Sequence, residues 1–540
     1  MRTFDFLVEY EQGGRVQCLR FRDSCAGPGL VCEVRLEEDR VRLTLEPESS
    51  VTLRRVACKT PLAFPPDARV YLNGYQSWTD SRELTRRDAM RGLLGRPGFL
   101  VKKYQLRGYG DYDFTEYRRR KGYFHGFGYG YVRTESACTL AGSLCEDTGW
   151  TVLYADLLAG TLEARKDCAG RVLTRRWAAL DLLFLSGGRD EVLARYFDAL
   201  QVPAPKGRPV SGYTSWYRHG QDISEQTILR DLESAEGDIF QIDDGFEPFV
   251  GDWLTPDPRK FPNGMGPSAS AIREKGMTPG IWLAPFACEQ KSALWREHPD
   301  WLVRDELGQV VSCGSNWSGF GALDIENEAV RAYLKEVFSR LRALGFGFFK
   351  LDFLYAACVR PKPGRTRGEL MYDAVRLLRE CAGDCPILAC GAPLFACFGQ
   401  TEYMRIGCDV TPSWDAGLAM RLAHRERVGT LPSIQNTVWR AHLNGRVFWN
   451  DPDVYFLRPD TGLTPDQSRV LLETGFLFGA VHFTSDDRTP ETRGQVRRAE
   501  ALAEAEDIRV TQERGLMEIH WRLHGEPQQL RFRLKDGKIL

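Results

Sequence analysis

The run Phe348-Phe349-Lys350-Leu351-Asp352-Phe353 decides the reading of the chain. Before it, residues 327–344 place Val330, Tyr333, Leu334, Val337, Phe338, Leu341 and Leu344 at helical spacing, and Gly345 stands where a helix stops. The pattern then changes to a short apolar run, the signature of a buried strand. A lysine and an aspartate interrupt it near its carboxyl end. Both are costly to bury unless each serves the other or a ligand. Taken alone, a Lys–Asp pair that only holds a strand end explains the run equally well.

Outward from this point the same unit recurs. Strand signals lie at residues 212–217, 239–243, 280–285, 347–352, 386–390, 403–408, 447–451 and 480–484, with helical patterns between several of them. Asp222-Ile223-Ser224-Glu225 resembles a capping box and predicts a helix to about Ser234. Eight strands alternating with helices favour a (β/α)8 barrel, with a doubly wound sheet as the alternative. Pro203-Ala204-Pro205-Lys206-Gly207-Arg208-Pro209 marks the boundary in front of it. A further helix is expected near residues 493–505, followed by β alternation over 508–540.

Ahead of the boundary, alternating apolar and polar runs at 15–22, 30–35, 40–45, 51–56, 123–132, 150–157, 161–165 and 172–185 predict many short strands, hence a β-sandwich. A helix is expected at about 190–200. The expected organisation is an amino-terminal β-sandwich over residues 1–200, a barrel over 208–505 and a short antiparallel β segment over 506–540. Within the first region, Asn73-Gly74-Tyr75-Gln76-Ser77-Trp78 reads most simply as an Asn-Gly turn with core aromatics. Its functional alternative is a loop reaching toward a site on the barrel.

Composition narrows the function classes. Hydrophobic residues make up 43% and charged residues 27% of the chain, and the net charge is −1. With no Lys/Arg run, neither nucleic acid nor an anionic membrane is expected as a partner. No segment approaches a transmembrane length, and acidic residues near the amino terminus stand where an export signal needs an apolar block. The 15 cysteines are expected to be reduced, mostly buried thiols of a cytoplasmic protein. Cys381 and Cys385 lack the partner pair of a zinc box, so no metal or other cofactor is expected.

The polar residues gather at the predicted strand ends. The second strand runs into Asp243-Asp244-Gly245-Phe246, the third ends near Trp282, the fourth at Lys350 and Asp352, the fifth at Cys390-Gly391. The sixth carries Arg405 and Asp409, the seventh Asn450-Asp451-Pro452-Asp453, and the eighth Ser485-Asp486-Asp487. Strand ends of a barrel converge on one face. Carboxylates among aromatic platforms (Trp216, Trp253, Trp282, Trp414) suit a sugar, whose hydroxyls bond to carboxylates and whose apolar faces stack on rings. Cleaving a glycosidic bond takes two carboxyl groups, about 5–5.5 Å apart where configuration is retained. Asp352 beside Lys350 suits the ionised nucleophile. For Asp451 and Asp453, a turn or cap role is the stronger expectation.

The ordered set NGYQSW (73–78), FQIDDGF (240–246), GDW (251–253), KFP (260–262), GIW (280–282), HPDW (298–301), ALD (322–324), KLD (350–352) and NDPD (450–453) resembles glycoside hydrolase family 36, the melibiase-type α-galactosidases. The resemblance implies a β-supersandwich, a (β/α)8 barrel and a carboxyl-terminal antiparallel β domain. It also implies metal-free hydrolysis of terminal α-galactosyl residues, with retention through a covalent glycosyl-enzyme.

Carried onto this sequence, the resemblance makes Asp352 the nucleophile and Asp409 the general acid/base, with Asp415 a weaker rival for the second role. It places Asp243, Asp244, Lys350, Arg405, Cys390 and Gly391 in the sugar pocket, with Trp253 and Trp282 as walls. The chain departs from the family pattern at Phe246, at Leu283-Ala284-Pro285-Phe286, at Leu354 and in the shortened CGAPL run. The arginine that many members place shortly before the Leu-Asp element is absent between Ser312 and Leu323. Leu354 and the missing arginine bear on the side of the sugar's second carbon and keep an α-N-acetylgalactosaminidase or α-galactosaminidase open. A galactosyl-transferring enzyme, a non-catalytic sugar-binding protein and a homo-oligomer are also compatible with the sequence.

Overall fold

The computed structural model describes residues 2–93, 97–415, 417 and 424–540. Two large antiparallel sheets make up the amino-terminal part. One runs, in spatial order, through Arg15–Phe21, Asp5–Gln12, Val51–Pro61, Thr161–Lys166, Thr151–Asp156 and Tyr123–Phe127. The other runs from Cys25–Gly27 through Leu30–Leu36, Arg40–Pro47, Trp177–Gly187, Cys138–Ser143, Tyr129–Arg133 and Arg69–Leu72 to Glu83–Leu84. Phe6, Val8 and Tyr10 of the first pack with Val41, Leu43 and Leu45 of the second in one core. Alternation along the strands supplies that core, since successive side chains point to opposite faces.

Two runs expected as single strands are divided between the sheets. The 123–132 run breaks at Gly128, where φ of +72° lets the chain cross from one sheet to the other. A Cβ at that glycine would meet the Phe395 ring at 2.0 Å, so the crossing also needs glycine for close approach to the barrel. The 172–185 run becomes Val172–Leu173 and Trp177–Gly187, again in different sheets.

The barrel strands are β1 Val210–Thr214, β2 Ile239–Ile242, β3 Thr278–Leu283, β4 Phe348–Leu351, β5 Ile387–Ala389, β6 Tyr403–Arg405, β7 Trp449–Asp451 and β8 Val481–Thr484. Seven parallel pairings run from β7 back to β1 and on to β8. The Ala480 amide donates to the Asn450 carbonyl at 2.8 Å and brings the two ends of the sheet together. The expected (β/α)8 barrel is present, with its eight strands at the expected places.

Helix Glu328–Ala343 precedes β4. Its N-cap Asn327 accepts from the Ala329 amide, and Val330, Leu334, Val337, Phe338 and Leu341 are buried along one face. Between β5 and β6 the described chain forms only a short 3-10 turn, Leu394–Cys397. There Phe395 and Phe398 meet Tyr129 and Phe197, so the amino-terminal region covers the barrel where a helix would otherwise lie. The β3–β4 connection adds a small sheet of Ala287–Glu289, Phe320–Ala322 and Ser312–Gly314. A three-stranded antiparallel sheet, Glu506–Glu513, Leu516–Leu523 and Glu526–Arg533, ends the chain.

Each of the cysteines is a free thiol, and most are buried. Among the described residues, no helix is long and apolar enough to cross a membrane. No group of His, Cys, Asp and Glu among them is arranged to hold a metal.

Candidate active site

The strand ends open on a cavity of about 440 Å³, lined by Asp243 and Asp244 after β2, Trp282 of β3, Lys350 of β4, Asp352 just after it and Asp409 beyond β6. That volume falls within the range of about 300–1,000 Å³ usual for small-molecule sites. Trp216 lines it from beyond β1. Its outer wall comes from the amino-terminal region (Trp78, Tyr104, Leu106, Tyr109), the β3–β4 connection (Ser315, Asn316, Trp317) and the segment after β6 (His424, Glu426, Val428). A larger cleft of about 1190 Å³ lies beside the Gly98–Lys103 helix. Its two carboxylates, Asp113 and Glu306, are each ion-paired with an arginine, so it lacks free acids for chemistry.

At the floor, β4 ends in a tight device. The Asp352 amide still donates to the Leu283 carbonyl at 2.8 Å, and then Phe353 turns into the left-handed region at φ +53°. A bulky residue there is strained, and the ring's contacts with Trp78, Trp317 and Phe320 hold it. The turn aims the Phe353 amide back at the Asp352 carboxylate (2.8 Å), whose other oxygen accepts from the Trp282 indole at 3.2 Å. Two donors thus fix the carboxylate in the cavity wall.

Lys350 donates to Asp243 at 2.8 Å. Burial works against its charge, but the carboxylates of Asp243 and, after it, Asp352 together outweigh burial and hold the ammonium above its ordinary range. Asp243 also accepts from Gln241 at 2.6 Å and from the Asp244 amide at 2.9 Å. Asp244 accepts from Gln221 (2.9 Å) and from the Trp317 indole (2.8 Å). Burial raises its proton affinity, and that of Glu247 behind it rises far more, through burial and the Asp244 charge.

Asp409 is held differently. Its side chain keeps 41% of its surface open, toward the cavity, and accepts from Arg405 at 2.8 Å. Arg405 alone would depress its proton affinity. Burial at the base of a walled cavity, reinforced by the charges of Asp352 and Asp243, works the other way and prevails. Arg405 and Lys350 oppose the rise and Asp352 and Asp243 support it, so burial at the cavity base is what carries it.

Six of the residues expected in the pocket, Asp243, Asp244, Trp282, Lys350, Asp352 and Asp409, share this cavity. The others lie behind it. Trp253 is no wall: it packs edge-on against Trp282, 5.9 Å between ring centres, as a buttress. Cys390 is a fully buried thiol under the floor. The Gly391 amide donates to Ser77 Oγ at 3.0 Å, and a Cβ at Gly391 would meet Trp78 at 2.8 Å. Arg405 is buried and faces Asp409, Asp451 and Asp453 rather than the cavity. Asp451 and Asp453 thus belong to a buried ion cluster, not to a plain turn. Trp414 packs on Phe532 and donates to the Leu534 carbonyl, far from a platform role. Asp415 pairs with Arg427 at 3.7 Å outside the cavity wall. Leu354 is fully buried and does not line the cavity, so it cannot widen it.

The simple turn reading of residues 73–78 gives way to its alternative. The segment is anchored on the barrel by Arg440, which donates to the Ser77 carbonyl (2.6 Å) and the Gln76 carbonyl (3.1 Å), and it delivers Trp78 to the cavity. Sequence reasoning missed Trp317, Tyr109, Glu247, Glu426 and His424. Trp317 stands in the polar run Ser315-Asn316-Trp317-Ser318-Gly319, and an aromatic alone among turn residues was the only available signal.

Fold and site together define a (β/α)8-barrel protein with a carboxylate-lined cavity at the carboxyl ends of its strands. Residues 213–354 match the melibiase family model. The chain is 30% identical over 178 residues to an A type blood α-D-galactosamine galactosaminidase of Flavonifractor plautii, and 34% identical over 126 residues to an α-galactosidase of Escherichia coli. These matches cover 30% and 21% of the chain and 16% of each relative, so the chain aligns with about a sixth of their length. Among solved structures, the α-galactosidase TtGalA of Thermus thermophilus, in complex with p-nitrophenyl α-D-galactopyranoside, superposes with a TM-score of 0.73 at 27% identity. That likeness covers 96% of this chain and 98% of the other. The α-galactosidase AgaA of Geobacillus stearothermophilus shares the fold at 11% identity, with a TM-score of 0.60 over 97% of this chain and 81% of its own. These findings bear out the resemblance to glycoside hydrolase family 36, the melibiase type, read from the ordered motifs.

Proposed function

We propose that the protein is a retaining exo-α-glycosidase that hydrolyses terminal α-galactosyl residues by double displacement. The observation that carries the reading is the pair Asp352 and Asp409, in one cavity but in opposite settings. Asp352 accepts from two fixed donors, which suits a carboxylate that attacks the anomeric carbon. Asp409 has a raised proton affinity from burial and from the charge of Asp352, which suits the group that first protonates the leaving oxygen and later activates water. Asp243, Asp244, Lys350 and the Trp317 indole offer a cluster of charged and polar groups for the hydroxyls of one pyranose, and Trp282 offers a ring face. The galactoside-directed names of the relatives support galactose as that sugar.

Turnover of an aryl α-galactoside, with the anomer first released followed by NMR, tests the proposal. Release of α-galactose supports it, and β-galactose released first would overturn retention. An amino-sugar reading is favoured by the galactosaminidase of Flavonifractor plautii. Aryl α-galactoside, α-N-acetylgalactosaminide and α-galactosaminide assayed side by side decide between them.

A further inference from the structure

One edge of the amino-terminal sandwich is a hairpin whose turn is Pro28-Gly29. Cys25–Gly27 pairs antiparallel with Leu30–Leu36, and the register sets Cys25 opposite Cys32, Ala26 opposite Val31 and Gly27 opposite Leu30. Residues directly opposite on such a ladder send their side chains to the same face. Both cysteines accordingly pack on the sandwich core, Cys32 buried within it and Cys25 partly open at its margin. Their thiols are in hydrogen-bonding contact.

The hairpin is held in this register from two sides. The Tyr10 hydroxyl, from the facing sheet, donates to the Pro28 carbonyl at 2.9 Å, and the Glu48 amide donates to the Gly29 carbonyl at 2.9 Å. Opposed residues on an antiparallel ladder have Cα atoms about 4.5 or 5.5 Å apart. Both spacings fall within the span of about 4.4–6.8 Å that a disulfide bridges. No other cysteine in the described strand ladders faces a cysteine: Cys18 faces Glu9, Cys58 faces Phe6 and Ala164, Cys138 faces Gly187, and Cys288 faces Gly321.

We propose that Cys25 and Cys32 are a modification site, a dithiol that reacts with a small disulfide such as oxidised glutathione and closes to a cross-strand disulfide. The thiolate of Cys25, the more accessible of the two, attacks one sulfur of the oxidant, forms a mixed disulfide and releases one glutathione thiolate. The Cys32 thiolate then attacks the Cys25 sulfur, and the second glutathione leaves as the new S–S bond forms. The protein dithiol gives up two electrons and two protons, and the oxidant takes them up as two glutathione thiols. Burial raises the pKa of both protein thiols, so the exchange is slow near neutral pH. The product ties a short edge strand to its neighbour and guards that end of the sheet against fraying.

Trypsin cuts after Arg22 and Arg35, so both cysteines leave in one peptide, residues 23–35, with no third cysteine. The folded protein is incubated with oxidised glutathione at about pH 8.5, where thiolates form more readily. It is then quenched in acid, alkylated with iodoacetamide in urea, digested and analysed by mass spectrometry. The expected result is that peptide 23–35 comes mainly unalkylated and about 2 Da lighter than the dithiol. It should return to the doubly alkylated form when dithiothreitol precedes alkylation. Cys18, exposed and opposite Glu9, should carry at most a glutathione adduct. A peptide 23–35 with two alkyl groups, or with glutathione on Cys25 and an alkyl group on Cys32, overturns the proposal. Closure that occurs only when the oxidant is added in urea overturns it as well, because the register of the folded hairpin then plays no part.

Discussion

Arg405 donates to Asp409 at 2.8 Å while the same guanidinium holds Asp451 and Asp453, each at 2.7 Å. One cation thus faces three carboxylates inside the protein. Surplus negative charge is expensive to bury, so protons are retained. Asp453 is pushed up to about 7 by burial, with the charges of Asp409 and Asp451 adding to the effect of burial. The cluster that seats Asp409 thus raises the proton affinity of both Asp409 and Asp453.

This has a sign that stability measurements can read. The native Asp453 carboxyl keeps its proton to about pH 7, whereas the unfolded one releases it near pH 4. Between those values the unfolded state binds fewer protons, so stability falls as pH rises, at up to about 1.4 kcal/mol per pH unit. Asp453→Asn should flatten that decline over pH 4–7 in urea denaturation. Asp409 adds a slope of the same sign, so some decline remains. Parallel wild-type and variant profiles would show that Asp453 ionises normally.

The two aspartates of the site should respond unequally to truncation. Asp352→Ala should abolish turnover of every α-galactoside, by about four orders of magnitude or more, because no covalent intermediate forms. Asp409→Ala should spare activated aryl substrates far more than oligosaccharides, since a good leaving group needs little protonation. Sodium azide should rescue the Asp409 variant and give the α-galactosyl azide, detected by NMR. A β-azide from that variant would exchange the roles.

Lys350 and Asp243 form a buried pair, 6% and 3% exposed at the side chain. Removing one partner leaves the other charge unpaired, which costs roughly 3–5 kcal/mol. Lys350→Met should therefore lower stability by about that much, and adding Asp243→Asn should recover a large part of it. Activity should not recover, because both groups line the cavity proposed to hold the sugar. A double variant no more stable than Lys350→Met would mean that the pair is uncoupled.

How much of this was legible in the sequence follows from which signals are local. Strand–helix periodicity and polar strand ends are local, so the eight strands, and Asp243, Asp244, Lys350, Asp352 and Asp409 on one face, could be read from the chain. Which side of a strand end a residue takes is not local. Trp253 and Arg405 sit near the right strands yet turn behind the cavity, into aromatic packing and an ion cluster. Trp317 and His424 stand on connections with no periodicity, and only the folded path of the β3–β4 and β6 segments brings them to the wall. The role of residues 73–78 depends on Arg440, more than 360 positions away in the chain.

Trp317 and Trp282 each donate an indole proton to a different carboxylate, Asp244 and Asp352. Phenylalanine keeps most of the ring and removes the donor. Trp317→Phe should raise KM for the galactoside by about tenfold through a misplaced Asp244, with a smaller effect on kcat. Trp282→Phe should lower kcat, because the acceptor it serves is the proposed nucleophile. Steady-state kinetics on one aryl substrate separate these outcomes. Equal effects on both parameters in both variants would refute the division of labour.

Arg440 is fully buried and, among the described residues, pairs with no carboxylate. It donates to the Ser77, Ile406 and Gln76 carbonyls at 2.6, 2.7 and 3.1 Å, and lies 3.3 Å from Asn73 Oδ1. Burial lowers its pKa, so its charge is sustained by these carbonyl dipoles. It stands at the carboxyl end of helix Thr430–Trp439, where the helix dipole also favours a cation. Through it the 73–78 loop is pinned to β6 of the barrel, and Trp78 is held in the cavity wall. Arg440→Met removes the donors and leaves several buried carbonyls unsatisfied, at roughly 1–3 kcal/mol each before relaxation. The expected result is a loss of several kcal/mol in urea denaturation, together with a fall in kcat/KM of about tenfold or more. Trp78→Ala should reproduce the kinetic loss with a smaller loss of stability, because the loop stays pinned. If Arg440→Met were destabilised while keeping full kcat/KM, the loop would not be positioning Trp78 for the substrate.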